Sequence, residues 1–479
     1  MSEPQIASAL AIVIDRTRSL PIAEQITTNL RDAIVEGRLE AGARLPSWLD
    51  MATQLGVARG TVKTAYERLI DEALVISAGA AGTRVAELPI GPPPATPVEI
   101  ARPMQGLERG FYLKPLPFQM GVPAQDAFPA KLWSRMRTRA VRDDAMAPVG
   151  PPDPRGHPDL RAQIASYLAI ARGIRCLPDQ IILTSGYKNG LSLAILTLQA
   201  QGRTAWMEDP GFPMARRALE LAGLKVANVP VDAEGIQVAR GVELAPDAAI
   251  AVVTPGQQAP TGVALSPQRR RELVAWAERE DGWIIEDDYL SELQLSGRAA
   301  PALAGANPNG RVIHVGSFGK TLSPALGLGF VVAPLSLAER FGEVAAFLNP
   351  APNPTTQLAL AGFLAEGHYL RHLRHMKSLY RERRDALVGC LGPGVGIEAF
   401  AGLALLMRLP DGADDVALAA RAVDLGIAPI PLSIWSWESA RTPGFLLGVT
   451  NLRPGHLEKA CDALRQLVQE VGSAQRVSR

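Results

Sequence analysis

Apolar residues return every fourth position at Ile22, Ile26, Leu30 and Ile34, which predicts a helix with one buried stripe. Pro21 suits its first turn and Gly37 its end. A second helix is predicted from Ser47, a good N-cap, carrying Leu49, Ala52 and Leu55. Gly56-Val57-Ala58 reads as a tight turn. A third helix follows, with Val62, Ala65, Tyr66 and Leu69 on its buried side. Leu74-Val75-Ile76 and Thr83-Arg84-Val85 flank a Gly/Ala stretch as the two arms of a hairpin. The pattern changes from about residue 118 onward. Short apolar runs such as 181–184, 249–253, 283–285 and 312–315 alternate with helical stretches, as expected of strands buried on both faces of a largely parallel sheet. Residues 88–117 lie between, dense in Pro and Gly, and read as a semi-rigid linker. Three zones result: residues 1–87, 88–117 and 118–479.

Helix, short turn, then a helix with Arg59, Thr61, Lys63 and Thr64 facing outward at its start is the pattern of a helix-turn-helix DNA reader with a β-wing. Arg59 suits a guanine edge and Lys63 a phosphate. A small helical dimerisation module with solvated charges fits the same periodicity. Charge does not separate the two. The chain carries a net +1, and its first 88 residues hold nine Lys and Arg against eleven Asp and Glu. Three widely spaced cysteines fit a reducing compartment. With no signal-peptide pattern and no run of 18 apolar residues, a cytoplasmic protein without membrane contact is expected.

Four stretches of the large zone carry chemistry. In His314-Val-Gly-Ser317-Phe-Gly-Lys320 a strand enters a Gly/Ser turn that ends on a lysine. Such a turn can hold a phosphate beside an amine able to form a Schiff base. A solvated lysine is the plainer alternative. In Trp283-Ile-Ile-Glu-Asp287-Asp-Tyr289, acids follow a buried strand at the end where α/β sheets bind ligands. Asp287 suits a pyridine nitrogen and Tyr289 a phenolic oxygen. A metal site or a solvated turn stays open. Phe212, after Glu208-Asp-Pro-Gly, can stack on a flat ring or simply fill core. Thr254 to Gly262 is a polar loop after a strand. His368, His372 and His375 share a helix face with Arg371, Arg374 and Lys377. We expect a solvated or interdomain basic face there and no metal.

Pro21 to Val85 resembles the GntR family of winged helix-turn-helix regulators, through GRLEAGARLPS (37–47), LGVARGTVKTAYERL (55–69) and Gly82-Thr83. The large zone resembles fold-type I aminotransferases, which use pyridoxal 5'-phosphate (PLP). The whole chain resembles the MocR/GabR regulators that join the two. The fold implied is an α/β domain with a mostly parallel sheet and a smaller C-terminal α+β subdomain, behind a winged helix-turn-helix. The resemblance implies DNA contacts at Arg44, Ser47, Arg59, Thr61, Lys63, Gly82 and Thr83. It also implies a PLP Schiff base at Lys320, with Asp287, Tyr289, Phe212 and Ser317 around the cofactor, and a head-to-tail homodimer. The implied function is a regulator that binds double-stranded DNA and responds to a small amine or amino-acid-like effector by aldimine exchange at Lys320. A working aminotransferase with an accessory N-terminal domain is the alternative.

The sequence departs from the family at both ends of the ligand site. Gly319 and Gly327 replace a Ser and an Arg on the phosphate side, and Gly186-Tyr187-Lys188 replaces Gly-Ser-Gln. Lys188 is expected to supply the missing charge. Leu446 stands in place of the carboxylate-binding Arg, and Met214 in place of a second one, which leaves a sulfonate, another amine or the cofactor itself open as effector. In the reader, Leu49 replaces a phosphate-contacting Arg and Ala58 a capping Ser.

Overall fold

The computed structural model describes residues 12, 14–17, 19–77, 82–87, 115–146, 150–295, 300–307, 310–349, 351–392, 397–438 and 442–477. The chain divides into two compact units, residues 1–104 and 105–479. Most of the linker, residues 88–114, and the wing tip, 78–81, lie outside the described residues.

The first unit holds α1 (Ile22–Val35), α2 (Trp48–Leu55), α3 (Arg59–Asp71) and a hairpin of β1 (Val75–Ser77) with β2 (Thr83–Val85). Gly37 has φ +74° just past α1, and Gly56 closes α2 in the left-handed region. The hairpin pairs Val75 with Val85 and Ser77 with Thr83. Its core contains Ile26, Leu30 and Ile34 from α1, Met51 and Ala52 from α2, and Val62, Ala65, Tyr66 and Leu69 from α3. Leu49 departs from the expected stripe, for it is exposed and Met51 is buried instead.

In the second unit eight strands form one sheet in the order β3-β10-β9-β8-β7-β4-β5-β6. They are β3 (Ile181–Thr184), β4 (Thr204–Asp209), β5 (Lys225–Asp232), β6 (Gly235–Ile236), β7 (Ile250–Val253), β8 (Trp283–Asp288), β9 (Val312–Ser317) and β10 (Gly329–Val332). From β5 through β4, β7 and β8 to β9 the pairing is parallel. Both faces are covered, as the unbroken apolar runs require. Ile181, Leu183, Ala251, Val253 and Ile284 join one core cluster, while Ile182, Ile250, Val252 and Ile285 join another.

Two antiparallel pairings, β9 with β10 and β10 with β3, return β3 to the direction of β9. The carboxyl ends of β3, β4, β7, β8 and β9 therefore lie along one edge. A second sheet, β11 (Ile397–Ala401), β12 (Ala404–Arg408), β13 (Ile430–Pro431) and β14 (Gly444–Gly448), is antiparallel in the order β11-β12-β14-β13. Three further helices matter below: α4 (Tyr187–Leu198), α5 (Pro213–Leu221) and α6 (His368–Leu391). No described helix is long and apolar enough to cross a membrane.

Candidate functional site

In the first unit, Arg59 and Lys63 are exposed on the first two turns of α3, with Thr61 half-buried between them. Lys63 also reaches Glu67, 3.7 Å away. Ala58 occupies the N-cap of α3 and supplies no side-chain acceptor to the first-turn N–H groups. Arg44 and Gly82 come together. A Cβ on Gly82 would stand 3.0 Å from the Arg44 Nε, and Gly82 has φ +84°. The bridge from Arg44 to Arg84 ties the same strand to the wing. Thr83 is half-buried at the base of β2. Ser47 caps α2, its Oγ accepting the Asp50 N–H at 3.1 Å and donating to the Asp50 carboxylate. That hydroxyl already has a structural task.

In the second unit, Lys320 follows β9 and Asp287 is the fifth residue of β8. Adjacent parallel strands therefore set them near one another. Lys320 is half-buried and its Nζ donates to the carbonyl of Gly121 at 3.0 Å. Burial lowers its pKa to about 8, the Asp287 charge works against this, and Lys188 adds to it. Burial pushes Asp287 up to about 8, helped by the charges of Asp288 and Glu208 and opposed by the Tyr187 hydroxyl and Lys320. Burial also raises the phenol of Tyr289 above its ordinary range.

Alternation along β8 sorts the acidic run. Glu286 and Asp288 face away from Asp287 and are buried in their own pairings. Glu286 lies 3.0 Å from His314 Nδ1 and accepts the backbone N–H groups of Leu303 and Ala304. Asp288 lies 2.6 Å from Arg172 Nε. The run is neither a solvated turn nor a metal cage. Among the described residues no group of three or more His, Cys, Asp or Glu could hold a metal.

The Tyr187 ring lies 6.3 Å from Phe212, and the Phe212 ring 5.8 Å from Trp435. The Tyr187 hydroxyl is enclosed near the Asp287 carboxyl but makes no well-aligned hydrogen bond among the described residues. On the phosphate side Gly186 precedes α4. A Cβ on Gly329 would lie 2.8 Å from the Gly186 Cα, so the β3 and β10 backbones meet closely there. This approach sets the free N–H end of α4 next to the turn after β9. Ser317 Oγ accepts the Gly319 N–H at 3.1 Å. Gly327 sits at φ +55° with open space around it. Lys188 is exposed but close enough to act on Lys320.

The donor set suits PLP. A half-buried lysine amine and a buried carboxylate stand at one sheet edge, with an aromatic ring, a helix N-terminus and a second lysine beside them.

One expectation is corrected. His372 does not belong to a solvated basic face. It is buried, and its Nε2 lies 2.8 Å from the carbonyl oxygen of Thr321, next to Lys320. His375 and Arg374 are exposed on the same helix. The Tyr369 hydroxyl donates to Thr321 Oγ1 at 3.0 Å. Gly121, Thr321, Tyr369 and His372 thus support the lysine; the sequence had singled out His372, but for the basic face. Arg453 is more than half exposed and lies 3.9 Å from Asp126.

The family described as Aminotransferase class I and II matches residues 144–464, and that of Bacterial regulatory proteins, gntR family, matches residues 22–85. The chain is 35% identical over 473 residues to "Probable rhizopine catabolism regulatory protein MocR" of Rhizobium meliloti, covering 95% of each. It is 35% identical over 386 residues to "HTH-type pyridoxine biosynthesis transcriptional regulator PdxR" of Corynebacterium glutamicum, covering 80% of this chain and 82% of that one. Among solved structures, an archaeal alanine:glyoxylate aminotransferase superposes with a TM-score of 0.68 at 21% identity, over 76% of this chain and 92% of the other. At that identity the likeness is one of fold.

Proposed function

Since this chain belongs to the aminotransferase class I and II family and carries a GntR-type reader, in the MocR manner, we propose that it is a PLP-dependent transcription regulator that binds double-stranded DNA and answers to an amine at the Lys320 site. The observation that carries this reading is the meeting of Lys320 and Asp287 in one buried site of a chain that also bears a helix-turn-helix.

Lys320, Asp287, Tyr289 and Phe212 would hold the ring of the cofactor. Ser317, Gly186, Tyr187 and Lys188 would hold its phosphate end. When bound, PLP supplies an aldehyde that links reversibly to primary amines. The protein's own part is electrostatic. A Lys320 pKa near 8 leaves a useful fraction of its amine neutral and nucleophilic at physiological pH. Asp287 holds a proton or pairs with a cationic ring nitrogen. Glu208, raised to about 7 by burial, accepts the Thr254 N–H at 3.1 Å and its hydroxyl at 2.6 Å, tying the β4 and β7 loops together.

In the reader, α3 enters the major groove. Arg59 meets base edges, and Thr61, Lys63, Arg44, Ser47, Gly82 and Thr83 meet phosphates or groove walls. An effector changes DNA binding only through unequal affinity for two states of the large domain. The linker, residues 88–117, couples the two domains, and a head-to-tail homodimer in the cytoplasm presents two readers to one operator. The test is near-visible absorbance of the full chain with PLP, beside Lys320→Ala, followed by DNA binding with and without amines. A band that depends on Lys320 supports the reading. Its absence at saturating PLP removes the cofactor from it.

A further inference from the structure

The stretch that leaves the linker passes over Lys320. Its first part is tied to the small antiparallel sheet. The Pro117 carbonyl accepts the Ala428 N–H at 2.8 Å, and the Phe118 carbonyl accepts the N–H of Gly448, at the end of β14, at 2.7 Å. The approach is close, for a Cβ on Gly448 would stand 2.5 Å from the Gln119 carbonyl oxygen. Phe118 is fully buried and holds φ +68°, a backbone conformation that a bulky residue keeps only when its surroundings impose it. The last part is tied to α6. The Ala124 N–H donates to the Tyr380 hydroxyl at 2.9 Å, and Arg383 donates to the Asp126 carboxylate at 2.6 Å. Between these two anchors the Gly121 carbonyl accepts from Lys320 Nζ at 3.0 Å.

That bond needs an N–H on Lys320. A lysine ammonium carries three and the neutral amine two. Condensation with an aldehyde removes them. The lysine nitrogen forms a C=N bond, the aldehyde oxygen leaves as water, and at most one N–H remains, fixed in the plane of the new double bond. A primary amine that takes over the aldehyde carbon forms its own C=N bond, breaks that of the lysine and gives its two hydrogens back to the lysine nitrogen. The Gly121 carbonyl thus faces a freely turning donor in the first and last states and loses it in the middle one.

We propose that residues 116–127 are a strap that reads the state of the Lys320 nitrogen, latched at Gly121 while the lysine is a free amine and released there while an aldehyde holds it. The inference rests on the reading that PLP and amines act at Lys320, and it names the contact through which the chain next to the linker feels them. Gly121 lies three residues from Phe118, and Phe118 adjoins Pro117, the last residue of the linker. A shift at Gly121 therefore reaches the linker through a short stretch that is already held in a constrained conformation.

The experiment is hydrogen–deuterium exchange of the full chain, read on peptides covering residues 116–124, with near-visible absorbance alongside. Wild type is compared alone, with PLP, and with PLP plus excess methylamine. PLP is expected to speed exchange in the strap by about tenfold, the scale of one hydrogen bond, and methylamine to slow it again. A ligand that only fills the site would slow exchange instead. Without cofactor, Lys320→Met is expected to exchange fast in the strap, while Lys320→Arg, which keeps N–H donors, recovers much of the protection. Where Lys320→Met does not fold, Lys320→Ala is read in its place. Slow exchange in the cofactor-free variant that lacks the donor overturns the latch, as does a near-visible band that forms without faster exchange. Fast exchange in that variant, with no band in wild type at saturating PLP, removes the cofactor reading and leaves the latch standing.

Discussion

The Nε2 of His372 lies 2.8 Å from the carbonyl oxygen of Thr321, which follows Lys320 in the chain. Burial lowers the His372 pKa below its ordinary value, so the ring is neutral and, facing a carbonyl, carries its proton on Nε2. The histidine positions the lysine turn. His372→Ala should cost about 1–3 kcal/mol of stability, because it leaves that carbonyl unpaired. His372→Gln should recover part of this. A folded pKa below the unfolded one gives a contribution present above the unfolded pKa of about 6.5 and lost as pH falls through the folded value. Melting curves at pH 5 and pH 8 test this: a variant equally destabilised at both would count against it.

Lys320 titrates near 8. Formation of the near-visible band with PLP should therefore speed up as pH rises through about 8 and level off above it. Stopped-flow absorbance measures this. A rate that keeps climbing toward pH 10 would mean an ordinary, solvated lysine.

Asp287 has a folded pKa of about 8 against an ordinary carboxylate value near 3.8. A raised folded pKa contributes stability below the unfolded value that is lost as pH rises through the folded one. Without cofactor, Asp287→Asn should therefore gain on wild type steadily between pH 4 and pH 8 and hold that margin above pH 8. With cofactor the order should reverse, since the ring nitrogen loses its counter-charge. Denaturant melts of both forms decide the matter.

Arg59 and Lys63 stand exposed at the start of α3. Arg59→Ala should weaken specific operator binding by about 1–3 kcal/mol and relax preference at one base pair. Lys63→Ala should weaken binding to all sequences and reduce the salt slope by about 1. Equal losses on operator and random DNA for Arg59→Ala would assign it to phosphate instead.

Ala58 sits at the N-cap of α3 with extended backbone, φ −65° and ψ 141°. Ala58→Ser should add the missing cap and stabilise the reader by about 1 kcal/mol. Thermal unfolding of the full chain reads this. An unchanged first transition would show that the helix end is satisfied otherwise.

Much of this was legible in the sequence where the signal is local. The four-residue spacing of α1, the Ser47 cap and the apolar runs at 181–184 and 283–285 each depend on neighbours a few positions away. His372 had a local signal too. Tyr369, His372, Met376 and Tyr380 form the buried stripe of α6, and His372 belongs to it rather than to the basic face with His375. Leu49 and Met51 changed places because α2 is short, and which of its sides is buried is set by α1 and α3.

The sequence by itself determined the elements and the two-part organisation, and it singled out the lysine and carboxylate proposed to carry the chemistry, because periodicity, caps and turn residues act within a few positions. The tertiary structure alone decided what surrounds them. Gly121 meets Lys320 across about two hundred residues, and Leu446 faces Leu406 and Ile430 by strand register. The physical reason is that strand order and register are set by packing of the whole sheet, and no local pattern encodes which distant side chains end up against one another.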